Sequence, residues 1–183
     1  MLECWNAVGR DGRVISIEAM PQHASSVREN LSLNQFPTAD VLNVAVGDRD
    51  GEISLGLPEG GNQGMYGINA GQPLATVALR RIDDLLPDLP SLALLKMDIE
   101  GAELMALKGA EATLRRHRPA IVIELNEKAL QRCGASSKDV VSFLEDLGYR
   151  GQTITADGLR PLNDIHDCDE CLFLPQGAAA AGN

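Results

Sequence analysis

A short apolar run that ends in carboxylates constrains this chain more than any other feature. The run covers residues 92–97, and three acids follow it within six residues: Asp98, Glu100 and Glu103. An apolar run of this length is typical of a buried parallel strand. Open α/β sheets bind ligands where such strands end. Clustered carboxylates repel one another unless a cation, a polar ligand or a helix N-terminus offsets their charge. We therefore predict that Asp98 is a site residue.

A helical pattern over about residues 100–116 begins directly after this strand. Glu100 and Glu103 fall in its first turn, and basic residues occupy positions 115–118 at its end. The dipole of a helix favours acids at its start and bases at its end. Glu100 and Glu103 therefore have a structural explanation, whereas Asp98 keeps a chemical role.

Strand and helix patterns alternate along the rest of the chain. Strands are predicted at residues 13–18, 41–46, 52–57, 76–82, 92–97, 120–125, 149–155 and 170–174, and helices at 1–9, 22–34, 100–116 and 137–147. This alternation indicates an α/β fold with a mainly parallel sheet, and the last two strands are expected to form an antiparallel edge. We expect one domain over residues 1–175 and a disordered Ala/Gly-rich tail over 176–183.

The charge balance narrows the classes of partner. The chain has 183 residues, with 16 Lys and Arg against 26 Asp and Glu, for a formal charge of −10. Nucleic acids and anionic membranes bind clustered basic residues, so neither partner is expected. No apolar run approaches the roughly 18 residues of a membrane span. Because residues 1–13 also show no signal-peptide pattern, we expect a cytoplasmic protein.

Two further motifs suggest ligands but have simpler explanations. Cys168 and Cys171 have a metal-ligand spacing, yet a tetrahedral site needs two more ligands, so we predict no metal and place Cys171 in a strand. The glycine-rich segment 58–71 is not followed by a helix of useful length. A phosphate-binding loop needs such a helix, so we expect a surface loop or lid.

The central motif resembles the signature of the FkbM-type methyltransferase family. The resemblance rests on residues 95–103, the stretch Leu107-Lys108-Gly109-Ala110, Arg118-Pro119 and a strand ending at Glu124. It extends upstream to residues 14–21 and 43–51 and covers about residues 10–175. It implies a Rossmann-like class I methyltransferase sheet. It also implies a methyltransferase that depends on S-adenosylmethionine and usually acts on a hydroxyl oxygen, with a small-molecule or glycan acceptor.

The same resemblance implies roles for individual residues. Glu18 would bind the ribose hydroxyls of the cofactor, as an acceptor-only carboxylate can. Gly47 and Asp48 would lie near the adenine. Asp98 would face the sulfonium and would also be the first candidate for the general base, followed by Glu124 and then His117. His117 has an alternative explanation as a favourable helix-end residue.

One departure from the family pattern leaves the activity open. The family begins with a strand and a glycine-rich turn, but no Gly-x-Gly pattern precedes Arg13. In the family's order the missing first strand lies between the strands that end at Glu18 and Asp98. One hypothesis is that the sequence is a fragment or has an incorrectly assigned start, which the codons upstream of Met1 would test.

Two alternative functions stay open at this point. The chain could be a non-catalytic or fragmentary methyltransferase-like domain with impaired cofactor binding. A nicotinamide-linked dehydrogenase is a weaker alternative, because the glycine fingerprint of that class is missing.

Overall fold

A computed structural model describes residues 8, 12–34, 39–58, 66–68, 70–162 and 170–177. The chain has a mixed α/β fold. Its elements in chain order are β1 (Val14–Ile17), α1 (Pro21–Leu33), β2 (Ala39–Leu42), β3 (Ala45–Val46), β4 (Gly51–Leu57), β5 (Gly67–Ile68), β6 (Gln72–Arg80), α2 (Ile82–Leu85), β7 (Leu94–Met97), α3 (Glu103–Lys108), α4 (Glu111–His117), β8 (Ala120–Ile123), α5 (Glu127–Arg132), α6 (Ser137–Asp146), β9 (Tyr149–Thr155), β10 (Gly158–Pro161) and β11 (Cys171–Pro175). The part of the chain that the structure describes contains no helix long and apolar enough to cross a bilayer.

The strands of the described residues form three sheets rather than the single mainly parallel sheet expected from the sequence. β1 and β2 are a parallel pair. The second sheet has the order β10-β9-β11-β8-β7, in which only β7 and β8 are parallel. The third has the order β3-β6-β4-β5 and is dominated by the antiparallel pair of β4 and β6. The second sheet is mixed because β11 lies antiparallel between β8 and β9. The third is mixed because β6 pairs antiparallel with β4 and parallel with β3.

The parallel ladders meet no further strand within the described ranges. There, β1 is hydrogen-bonded only to β2, and β7 only to β8.

Two predicted elements are divided in the structure. The strand expected over 41–46 is split between β2 and β3, which belong to different sheets. Between them, the Asn43 side-chain amide donates to the carbonyl oxygens of Glu18 and Ala19, at 2.8 and 2.9 Å. These bonds fix the end of β1 to the end of β2 and turn the chain out of the first sheet.

The helix expected over 100–116 is two helices, α3 and α4, separated at Gly109 and Ala110. A Cβ on Gly109 would lie 1.8 Å from the carbonyl oxygen of Gly47, so the backbones approach too closely there for any other residue. α4 then begins anew on Asp83, whose carboxylate accepts from the N–H groups of Ala112 and Thr113 at 3.1 and 2.8 Å. The break is thus imposed by tertiary contacts.

Other predictions are confirmed or lie outside the described residues. α1 and α6 match the expected helices, and Ser136 and Asp139 form a capping box at the start of α6. α5 was not expected. Apart from residue 8, the predicted helix at residues 1–9 lies outside the described residues, as do Cys4, Cys168 and most of the 176–183 tail.

The main core lies between the five-stranded sheet and the helices α3 to α6. Its fully buried side chains include Leu107, Leu114, Ile121, Ile123, Leu130, Leu144, Tyr149 and Phe173. Each such apolar side chain contributes about 1.5–3 kcal/mol. The core therefore holds the ends of β7 and β8 in place.

Candidate functional site

A cavity lies where β1, β3 and β7 end. Its walls carry three carboxylates, from Glu18, Asp98 and Glu100. His23 and Tyr66 also line it, and apolar side chains cover most of the remainder. In the described ranges no Lys or Arg is among the lining residues. The cavity is therefore suited to a ligand rich in hydrogen-bond donors or positive charge.

Glu18 reaches the cavity because β1 ends one residue earlier. Its carboxylate oxygen Oε1 accepts from the backbone N–H of Met20 at 2.7 Å. Pro21 then begins α1 at a position that suits proline, which needs no hydrogen-bond partner there. The Glu18 side chain is thus held at the entrance to a helix and within reach of a ligand.

Asp98 also lines the cavity, from a tight turn over residues 98–102 that we name the Asp98 turn. Glu100 and Gly101 have positive φ angles of 55° and 103°. A Cβ on Gly101 would lie 2.1 Å from the carbonyl oxygen of Ala129 in α5, so glycine is required there. The turn directs both Asp98 and Glu100 to the cavity.

Asp98 also lies beside Glu124. β7 and β8 are parallel neighbours, and the Glu124 N–H donates to the carbonyl oxygen of Met97 at 3.1 Å. Burial, and then the hydrogen bond and charge of Asp98, raise the pKa of Glu124 to about 7. A second, more open depression is lined by Asp98, Glu124, Ile154 and Glu170. Asp98 therefore borders both depressions and is next to a carboxyl that is partly protonated at neutral pH.

Glu100 is affected in the same direction. Burial and the neighbouring charge of Asp98 raise its pKa, and the positive charge of Arg132 lowers it to a smaller extent. The carboxyl groups of this region therefore favour protonation or the approach of a cation.

The structure brings some of the predicted site residues together and not others. Glu18 and Asp98 share one cavity, and Glu124 shares the second depression with Asp98. Gly47 and Asp48 line neither. Gly47 donates to the carbonyl oxygen of Arg80, and the Asp48 carboxylate pairs with Arg49 at 2.9 Å on the surface. The residues that do line the cavity near them are 44–46.

His117 also lies outside both depressions, at the C-terminal end of α4. This is the position that the helix-end explanation gives it. As a general-base candidate it is not brought together with Asp98.

His23 and Tyr66 were missed by sequence reasoning. Their rings lie 5.2 Å apart between centroids and are tilted by 56°. His23 is in the first turn of α1 and Tyr66 directly precedes β5, so no local pattern links them. The one indication in the sequence is that His23 follows shortly after Glu18, the acid at the end of β1.

The described residues contain no group of three or more His, Cys, Asp or Glu side chains arranged to hold a metal ion. Cys133 is a free thiol, and Cys171 is buried at the start of β11, the strand position expected for it.

Comparison with solved structures found a crystal structure of methyltransferase FkbM from Methylobacillus flagellatus KT. The two share 23% identity and superimpose with a TM-score of 0.58 over 88% of this chain and 36% of the other. This likeness shows a shared fold, and the chain spans about a third of that protein's length. A comparison with curated proteins found no match. The family model of the methyltransferase FkbM domain matches residues 2–150. The chain therefore belongs to the FkbM methyltransferase family.

Proposed function

We propose that this protein is an S-adenosylmethionine-dependent methyltransferase that acts on a hydroxyl oxygen of a small molecule or glycan. The proposal rests on the membership of the chain in the FkbM family. The observation that carries it further is the placement of Glu18 and Asp98 in the lining of one cavity.

The residues at the cavity fit the chemistry of this cofactor. Carboxylates accept hydrogen bonds and attract cations, and the cofactor offers a ribose diol and a positively charged sulfonium. Glu18 would hold the ribose hydroxyls, and Asp98 and Glu100 would face positive charge. Within the described ranges, the lining residues include no Lys or Arg, whose positive charge would repel the sulfonium. When bound, S-adenosylmethionine supplies an electrophilic methyl group.

The acidic pair of Asp98 and Glu124 provides the proton acceptor that a hydroxyl substrate needs. A general base performs best when its pKa is near the working pH. Glu124, with a pKa of about 7, can hold the proton that leaves the substrate hydroxyl, while Asp98 lies nearer the cavity that holds Glu18. Acceptors with phosphate or carboxylate groups would be repelled by these acids, so we propose a neutral or cationic acceptor and no nucleic acid.

The parallel ladders are consistent with two parts of a Rossmann-like sheet. β1 and β7 both end at the Glu18–Asp98 cavity, and their neighbours β2 and β8 run parallel to them. Ligands bind at that edge in open α/β sheets.

An assay of methyl transfer tests the proposed function. Tritiated S-adenosylmethionine would be incubated with a panel of hydroxyl compounds, and the label in the acceptor counted. Asp98→Asn should lower transfer by about 100-fold or more, because it removes the carboxylate that faces the sulfonium and that forms the proton-accepting pair with Glu124, whereas the exposed Asp88→Asn should leave it unchanged. Transfer by Asp98→Asn at the rate of the unmodified protein would contradict the assignment.

A second candidate is a methyltransferase-like domain that binds the cofactor poorly. It is favoured by one observation: within the described ranges, neither β1 nor β7 has a strand on its second edge. Calorimetry with S-adenosylmethionine distinguishes the two candidates, since only the first requires a filled cofactor site.

A further inference from the structure

Glu103 is buried in a way that the helix dipole does not explain. It is the first residue of α3, where an acid is favourable, but favourable acids at helix starts normally stay in water. Its side chain is only 2% exposed, and burial raises its pKa. Oε2 is buried and has no hydrogen-bond partner among the described residues. Burying such an atom costs free energy, so some other interaction of this carboxylate must compensate.

The compensating interaction is with the backbone of the Asp98 turn. The oxygen Oε1 of Glu103 accepts from the N–H groups of both Ile99 and Gly101, each at 3.2 Å. These two N–H groups flank Glu100, whose φ is 55°. Residues other than glycine rarely adopt such a φ, because it is sterically unfavourable for them. Oε1 of Glu103 is therefore hydrogen-bonded to the backbone on both sides of Glu100.

The turn is also confined from two other sides. A Cβ on Gly101 would meet the Ala129 carbonyl in α5, and a Cβ on Gly67 in β5 would lie 3.2 Å from the carbonyl oxygen of Glu100. α5 and β5 thus limit where the turn can lie, while Glu103 supplies its hydrogen bonds. Asp98 immediately precedes this fastened segment and borders both depressions.

We infer that Glu103 is a positioning residue for methyl transfer, which holds the Asp98 turn so that Asp98 faces the reacting atoms. This inference rests on the proposed function. Displacement of a catalytic group by about 1 Å can cost about 100-fold in rate. The hydrogen bonds from Ile99 and Gly101, rather than direct contact with substrate, would carry the effect of Glu103.

Three variants separate this role from a general effect on stability. Glu103→Met keeps a side chain of similar length but removes the acceptor. Glu103→Gln keeps an oxygen that can accept from both N–H groups. Glu111→Gln is the control, because Glu111 is also a first-turn acid, at the start of α4, but is exposed and pairs with Arg115.

We expect Glu103→Met to lower kcat by about 100-fold while KM for S-adenosylmethionine changes less than about threefold. The amides of Ile99 and Gly101 should also lose protection in hydrogen exchange. Glu103→Gln should keep kcat within about tenfold of that of the unmodified protein. Glu111→Gln should have the same kcat as the unmodified protein. All kinetics would be measured at a temperature where every variant is folded.

Several results would overturn the inference. One is a folded Glu103→Met protein with unchanged kcat, and another is unchanged exchange at both amides. If Glu103→Met does not fold, a 100-fold loss of kcat in Glu103→Gln would overturn it, because that variant keeps the oxygen acceptor. If the unmodified protein transfers no methyl group, the proposed function fails. The exchange measurement would then still decide whether Glu103 holds the turn, and unchanged amides would reject its role.

Discussion

Glu124 and Asp98 lie side by side at the ends of two parallel strands, and this proximity changes the proton affinity of Glu124. Met97 of β7 is paired with Ile123 of β8, so the next residue of each strand is an acid at the same edge of the sheet. Burial is the main cause of the raised pKa of Glu124, and Asp98 adds to it. Glu124 can therefore hold a proton near neutral pH.

This proximity predicts how stability depends on pH. The folded state holds the Glu124 proton up to about pH 7, whereas the unfolded chain releases it near pH 4.5. The folded state therefore binds more protons between these values, and the free energy of unfolding falls as pH rises through that window. Glu124→Gln removes the titrating carboxyl and with it this fall in the free energy of unfolding. At pH 8 the variant should be more stable by about 1 kcal/mol, a figure reduced for the partial exposure of Glu124, and at pH 4 the difference should vanish.

Urea denaturation at pH 4 and pH 8 measures this effect. Glu145→Gln, an exposed position in α6, serves as the control and should show no such trend. If Glu124→Gln gains the same stability at both pH values, Glu124 does not titrate between pH 4 and pH 8.

Gly101→Ala should destabilise the fold strongly. The added Cβ would lie 2.1 Å from the carbonyl oxygen of Ala129, and φ is 103°. We expect a loss of about 3 kcal/mol or more from the clash and the strained backbone together. Gly134→Ala is a matched control, because its φ is also positive, at 77°, but nothing lies within 4 Å of the added atom. That variant should lose only about 1 kcal/mol. Equal denaturation midpoints for the two variants would refute the close approach of α5 to the Asp98 turn.

Asp83→Ala should weaken α4 and the helix break at Gly109. The Asp83 carboxylate accepts from the N–H groups of Ala112 and Thr113 and from the Thr113 hydroxyl at 2.7 Å. Its loss should cost about 1–2 kcal/mol, as for a removed helix cap. Asp84→Ala, with a side chain 56% exposed, should change stability by less than about 0.5 kcal/mol. The free energy of unfolding from urea titrations compares the two, and similar losses would argue against Asp83 as the cap.

Local sequence patterns could predict the acids at strand ends but not how the strands associate. Apolar runs followed by Glu18, Asp98 and Glu124 have a local signal, and all three acids follow observed strands, β1, β7 and β8. The division into three sheets depends on pairing between distant strands, which the pattern within one strand does not encode.

The same limit applies to the helix break and to the cavity. Gly109 is a helical residue by periodicity, and the break there depends on the Gly47 carbonyl and the Asp83 carboxylate, which are distant in sequence. His23 and Tyr66 meet by tertiary folding, so neither could be linked to Asp98 from the sequence. The resemblance to the family supplied the roles of Gly47 and Asp48, and these remain predictions.

The central claim is that the cavity between Glu18 and Asp98 binds S-adenosylmethionine, and calorimetric titration of this protein with that compound tests it most directly. We predict a micromolar Kd. Glu18→Ala should weaken binding by about 10- to 100-fold, since hydrogen bonds to a charged group contribute about 1.5–3 kcal/mol. Glu52→Ala, an exposed acid in β4 outside the cavity, should bind as the unmodified protein does. Absence of binding heat, or equal affinity in Glu18→Ala, would contradict the claim.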